Sequence, residues 1–386
     1  MSAPQPYHLH FAPEHSLNAA GKHVRDGLSS ALCTGDNLWT CCDERTTLER
    51  LRRTGPTSFG QHRCYELAEL LDLPSEDRQE EIDIEGLSQA GPYLWLVGSH
   101  SLKRKKPDPA HADAAKQMDR LAKVKREANR YLLARVPLLL NPATGDYELH
   151  RHAPDPAHPA RTLRAAQLRG TADGNELLDR LADDPHLSPF LPIPGKDNGF
   201  DIEGLAAAPD GRLFVGLRGP VLRGWALVLE ILPEEDDHGH LRLAKLPGAA
   251  QKYYRKHFLA LGGLGLRELR LRHDDLLILA GPTMDLDGTL AVYCWPGATS
   301  QEQDGFVDAN RLQHLFDIPH GQGPTAGRNK AEGMALLDDR HVLVVFDSPA
   351  DARKPSPHAV VADVFALDAT QSVPPGRGAP VSSTRS

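Results

Sequence analysis

An all-β fold assembled from one recurring four-stranded sheet is what the sequence predicts, and three observations predict it. A short acidic motif, Asp83-Ile84-Glu85-Gly86-Leu87, returns as Asp201-Ile202-Glu203-Gly204-Leu205, as Lys330-Ala331-Glu332-Gly333-Met334 and more weakly as Leu266-Arg267-Glu268-Leu269. Each copy passes through a turn into a short apolar run: Tyr93 to Gly98, Leu213 to Gly216, Leu276 to Gly281 and Val342 to Phe346. Turn formers are in excess, with 33 Gly and 31 Pro in 386 residues, about 17 % against an average of about 12 %.

Motif and apolar run together read as a β-hairpin, because the runs are short, rich in Leu, Val, Phe and Trp, and bounded by turns such as Pro209-Asp210-Gly211. Glu85 to Gly98, Glu203 to Gly216 and Glu268 to Gly281 span the same thirteen residues. A degenerate first copy is Arg25-Asp26-Gly27-Leu28 with Leu38 to Cys42. Third strands are expected at Gly224 to Ile231, Thr289 to Trp295 and Ala359 to Leu367, and fourth strands at Leu241 to Leu246 and Leu312 to Ile318. The spacing is 59 residues from Asp26 to Glu85, 65 from Glu203 to Glu268 and 64 from Glu268 to Glu332. Four-stranded sheets at such a period bury their faces only against one another, which is the signature of a β-propeller, here of five or six blades.

The interval from Glu85 to Glu203 is 118 residues, about twice the others. A sixth blade would fit in it. The apolar spacing of Met118, Leu121, Val124, Ala128 and Leu132 favours a helix over 113–133 instead, and Asn175 to Leu181 reads as a second short one. Helical insertions are therefore expected at about 105–135 and 172–190, within a single propeller domain over 1–370. Tyr7 to Phe11 alternates like an edge strand able to close the ring against the last blade. Residues 371–386 are small, polar and Pro-containing and are expected to be disordered.

Composition narrows function. The formal charge of −8 argues against a surface built for nucleic acid or anionic lipid. No stretch is apolar enough to span a membrane, and Met1 to His10 lacks a secretory leader, so a cytoplasmic location is the default expectation. The five cysteines, Cys33, Cys41, Cys42, Cys64 and Cys294, are odd in number and contain no Cys-x-x-Cys; they read as reduced core thiols. His8-x-His10, His150-x-His152 and His238-x-His240 lack a third ligand at useful spacing and read as coincidences among 19 histidines.

In a propeller, the start of each first strand and the end of each second strand meet at one channel mouth. Glu85, Glu203, Glu268 and Glu332 would gather there, with Asp26, and with Asp43, Glu44, His100, Lys103, Arg218, Thr283 and Asp347 from second-strand ends. Crowded carboxylates repel, and either raised pKa values or a bound cation relieves them. Hard oxygen donors favour Ca²⁺, with Mg²⁺ behind it, so Glu85, Glu203, Glu268, Glu332 and Asp347 are the candidate metal ligands. The competing reading has each Glu capping backbone N–H groups or pairing with a neighbouring Lys or Arg.

Asn198-Gly199-Phe200-Asp201-Ile202-Glu203-Gly204-Leu205-Ala206 with Pro209-Asp210-Gly211-Arg212-Leu213 resembles the phytase-like propeller family, named for an esterase-like activity of phytase. Asn329 to Ala335 with Val342 to Ser348 is similar. The chain over about residues 20–370, including Leu94-Trp95-Leu96-Val97-Gly98-Ser99-His100-Ser101-Leu102-Lys103, more closely resembles a bacterial propeller family of unknown function. The resemblance implies a propeller with an acidic central site.

The leading functional expectation is a divalent-cation site acting on a phosphorylated or other anionic small molecule, as in a metal-dependent phosphoester or ester hydrolase. There the metal would polarise substrate and activate water, Lys103 and Arg218 would neutralise charge, and Glu203 or His100 would act as base. The alternative is a non-catalytic scaffold for a protein partner, with structural glutamates. Lys103-Arg104-Lys105-Lys106, continued by Lys116, Arg120, Lys123, Lys125, Arg126, Arg130 and Arg135, reads first as a solvated face and second as an anion platform over the mouth. Absent aromatic interleaving disfavours nucleic acid.

Overall fold

The computed structural model describes residues 3–18, 21–77, 80–108, 113–248, 251–284 and 287–367. Its strands form a β-propeller. The first unit runs Leu28–Thr34, Asn37–Cys42, Thr47–Gly55 and Ser58–Glu66, each strand antiparallel to the next. The second is Ile84–Ala90, Tyr93–Gly98, Leu133–Asn141 and Asp146–Leu149. The third is Asp201–Ala207, Leu213–Leu222, Trp225–Glu235 and Tyr254–Ala260. The fourth is Gly265–Arg272, Asp275–Gly281, Leu290–Trp295 and Gln313–Ile318. The fifth takes Lys330–Asp338, His341–Asp347 and Ala359–Ala366 from the chain's end and Gln5–His10 from its beginning.

The first strands of these units pack side by side in chain order, and the fifth returns to the first. Borrowing Gln5–His10 joins the two ends of the described chain. That strand pairs antiparallel with Ala359–Ala366 and parallel, through His8 and Leu9, with Ser58 and Phe59.

Period-two alternation explains how each blade fills both of its faces. Leu276 and Ile278 join a core cluster with Phe214 and Val228 of the third blade, while Leu277 and Leu279 join one with Met334 and Val342 of the fifth. Adjacent Cys41 and Cys42 divide the same way, one packed towards the second blade and one towards the fifth. Five such clusters sit between neighbouring blades.

Two expectations change. The fourth strand of the third blade is Tyr254–Ala260, whereas Leu241–Ala244 pairs with the overhanging end of Trp225–Glu235, at Leu232 to Glu235. That third strand is eleven residues long, so its free end takes its own partner. The helix expected over 113–133 is confined to Ala114–Ala122. Val124–Lys125 instead pairs with Lys103–Arg104, and a 3₁₀ turn at Ala128–Tyr131 leads into Leu133–Asn141. Met118 and Leu121 are 66 % and 47 % exposed, so no core receives the helix. The second short helix is Glu176–Leu181, capped by the Asn175 side chain accepting from the Leu177 and Leu178 amides. Residues 371–386 lie outside the described residues. No described helix is long and apolar enough to cross a membrane.

Leu9 is fully buried in the cluster between fifth and first blades. Leu9→Ala should cost about 2–5 kcal/mol of unfolding free energy in a urea titration; a loss below about 1 kcal/mol would mean that the closing strand is dispensable.

Candidate functional site

Every first strand carries a β-bulge near its start. Pairing skips at Ser29, Glu85, Glu203, Arg267 and Glu332, one residue in each blade. A bulge re-aims a side chain out of the ladder, so these five form the structural repeat of the mouth. Left-handed backbone at Asp83, His100, Asn198, Asn329 and Ser348 turns the chain into or out of the same strand ends.

The mouth opens into a cavity of about 860 Å³ lined by Asp26, Asp43, Glu44, Asp83, Glu85, Glu203, Glu332 and Asp347, with Lys103, Lys196 and Arg218 among its cations. Of the residues expected there, Glu268, His100 and Thr283 are not in the lining. Glu268 is a correction of register. Gly98 pairs with Ile84, Gly216 with Gly204 and Gly281 with Gly265, so the equal thirteen-residue offsets join unequal positions. Arg267 holds the bulge and Glu268 the site of Gly86, Gly204 and Gly333. Fully buried, Glu268 accepts from Ser30 Oγ at 2.5 Å and from Arg270 Nη2 at 2.8 Å. Arg270 also donates to the carbonyls of Ala31 and, at 3.2 Å, Leu205. The pair thus reaches from the fourth blade to the first and third, across the ring.

His100 is also corrected. It donates from Nδ1 to the Gly98 carbonyl at 2.8 Å and accepts at Nε2 from the Asn175 amide at 2.7 Å, anchoring the cap of the second insertion. Burial pushes its pKa down to about 4, so it stays neutral.

Within the mouth, cations and carboxylates alternate. Arg218 binds Asp201 at 2.6 Å and also Glu203; Arg267 Nη1 lies 3.0 Å from both Glu203 and Glu332. Arg130 pairs with Asp83, and Lys103 with Glu81 at 2.6 Å. Arg218 and Lys103 are therefore already engaged by protein carboxylates. Glu85 and Asp43 have no basic side chain within ion-pairing distance among the described residues, although Glu85 is only 9 % exposed. Asp347 accepts the Ser348 hydroxyl at 3.1 Å.

Burial, then Asp83 and Asp347, raises the Asp43 pKa to about 7. Burial, then Asp347, raises Glu332 to about 8 against the pull of Arg267, and burial with Asp83 and Glu203 holds Glu85 well above the carboxylate range. Among the described residues, no three carboxylate, imidazole or thiol groups converge on one point in the present side-chain arrangement.

Over the mouth stands the first insertion. Lys103 to Lys106, Arg120 and Lys125 line the cavity from its side. The arch is held by Arg104, which donates to Asp197 at 2.6 Å and to the Leu121 carbonyl at 2.9 Å, and by Arg120 to the Lys106 carbonyl at 3.2 Å. Residues that sequence reasoning did not assign to the site are Asp83, Asp201, Arg130, Arg267 and Lys196. Four of them lie inside quoted motifs or runs, but only pairing register or tertiary contact shows their place; Lys196 carries no motif signal.

A family model described as a protein of unknown function (DUF3616) matches residues 27–363. No curated protein matches the chain. Among solved structures, a streptogramin B lyase is 10 % identical, with 94 % of this chain and 98 % of that one covered and a TM-score of 0.34. A Myxococcus xanthus glutaminyl cyclase is 10 % identical over 95 % and 97 %, with a TM-score of 0.38. A putative oxidoreductase (glucose dehydrogenase) of Thermus thermophilus is 14 % identical over 88 % and 97 %, with a TM-score of 0.33. Likeness at this level carries no activity to this chain.

Two outcomes follow from the charge arrangement. Asp43 is raised from 3.8 to about 7, so the folded state holds a proton that the unfolded chain releases. Stability from this group is lost as pH rises between about 4 and 7. Thermal melts of Asp43→Asn should match wild type near pH 4 and exceed it by a few degrees at pH 8; an equal offset at both pH values would contradict the assignment. Arg267→Met strands Glu203 and Glu332 without their shared cation and should cost about 3–5 kcal/mol by chemical denaturation.

Proposed function

Because the chain belongs to the DUF3616 family of proteins of unknown function, we propose its function from the mouth itself: it binds a divalent cation, Ca²⁺ ahead of Mg²⁺, and with it a phosphorylated or other anionic small molecule. The observation that carries this reading is Glu85, buried, and Asp43, half-buried, neither with an ion pair of its own among the described residues, beside Glu332 and Asp347 in one cavity. Oxygen donors of this kind suit a hard cation. The cavity's volume is in the range of small-molecule sites.

A bound cation would supply Lewis acidity towards a phosphoryl or ester group and lower the pKa of an attacking water. The chain's own groups divide the remaining work. Lys105, Arg120 and Arg328 line the cavity and would hold an anionic group by charge. His100 cannot serve as the base from its buried position, where it stays neutral. Phosphoester or ester hydrolysis is the chemistry this supports.

One observation favours the scaffold reading. Asp201, Arg218, Glu203, Arg267 and Glu332 form a paired chain across the third, fourth and fifth blades, as structural glutamates would. Calorimetry separates the two. Ca²⁺ added to chelator-treated protein should give a saturable heat that Glu85→Gln reduces at least tenfold in affinity, with the variant melting no lower than wild type. Negligible heat for Ca²⁺ and Mg²⁺ in wild type removes the cation site and leaves the scaffold.

A further inference from the structure

We infer that Lys196 is a built-in counter-ion for the acidic mouth, a tethered ammonium that a divalent cation must displace in order to bind. This rests on the cation-binding reading above and adds its regulation.

Lys196 stands in the cavity lining with Asp43, Asp83, Glu85, Glu203, Glu332 and Asp347. It comes from none of the blades' first or second strands. It belongs to the 3₁₀ turn Gly195–Asp197, in the connection that leads into the third blade. That turn is fitted closely to the mouth. A Cβ on Gly195 would fall 2.5 Å from Asp201 Oδ2 and 3.0 Å from the Ser101 Cβ, so only glycine allows this approach. The Gly195 amide donates to the Leu102 carbonyl at 3.1 Å, and the Asp197 carboxylate accepts from Arg104 at 2.6 Å. Asn198 follows in the left-handed conformation, and a Cβ on Gly199 would meet the Ile193 carbonyl oxygen at 1.9 Å.

A turn pinned at both ends in this way holds Lys196, itself exposed, in the lining of the mouth. The ammonium makes no ion pair within 4.0 Å among those seen in the described residues, yet it feels Glu332, Asp83 and Glu203 together and is felt by Asp43, Asp201 and Asp347. It is a diffuse counter-charge, shared by six carboxylates and committed to none. The other cations of the floor are committed: Arg218 to Asp201 and Glu203, Arg267 to Glu203 and Glu332, Arg130 to Asp83. A monovalent charge on a flexible four-carbon stem can leave the floor without breaking a pair, whereas the arginines cannot. A divalent ion drawn to Glu85 and Asp43 would repel Lys196 and send it towards the anionic ligand.

The test titrates Ca²⁺ alone, by calorimetry, into chelator-treated wild type, Lys196→Met and Lys196→Arg. Lys196→Met keeps the length of the stem and removes the charge. It should bind Ca²⁺ roughly tenfold or more tightly than wild type, the effect of removing one nearby competing charge, while Lys196→Arg stays near wild type. Without Ca²⁺ the Met variant should melt lower than wild type at pH 8, and saturating Ca²⁺ should close that gap, which also shows that the variant folds. Wild type that binds Ca²⁺ alongside a Met variant of equal or weaker affinity overturns the inference and leaves the cation site standing. No binding by any of the three overturns both.

Discussion

A guanidinium shared between blades is the contact on which the mouth of this ring depends. Arg267 occupies the bulge position that its counterparts in three other blades fill with glutamate, and it bridges two of those glutamates. Without it, Glu203 and Glu332 would face each other across a buried opening, at a cost that desolvation makes large. With Arg218 and Asp201 it extends into an alternating chain over three blades. On the second blade's side Lys103 and Arg130 are paired with Glu81, Glu127 and Asp83. Glu85 and Asp43 are left without a paired cation there, and the burden appears as raised pKa values. One departure from the repeat thus gives two glutamates of the mouth a shared cation, while Glu85 and Asp43 have no ion pair of their own among the described residues.

A second departure from the repeat lies one residue further on. Glycine at positions 86, 204 and 333 lets neighbouring inner strands approach: a Cβ on Gly86 would fall 2.7 Å from the Leu205 Cβ, and one on Gly333 2.8 Å from the Ser30 backbone. Glu268 replaces that glycine in the fourth blade and extends towards Ser30 with Arg270 as its partner. At this level the Glu268–Arg270 ion pair joins the fourth blade to the first and third.

Much of the architecture was legible. The hairpins, the closing role of Tyr7 to Phe11 and the insertion in the long interval follow from motif, alternation and spacing, because blades bury their faces by the same period-two pattern each time. The site was legible in part. Glu85, Glu203, Glu332, Asp347, Lys103 and Arg218 share one cavity as their strand positions imply. Glu268 was misplaced because counting along the chain does not see a bulge, which shifts register by one and changes which side chain faces the channel. His100 was misplaced because strand position is blind to the insertion whose Asn175 takes its imidazole.

By itself the sequence determined that this is a ring of repeated β-sheets with glutamates near one set of strand ends, since periodicity and turn chemistry are local and recur. Tertiary structure alone decided which of those acids are neutralised. Whether a carboxylate is paired depends on a cation from another blade or from a distant turn: Arg267 for Glu332, Arg130 for Asp83, Lys196 over the floor. Charge balance inside a small opening is set by distance in space and by exclusion of water, and neither quantity is written along the chain.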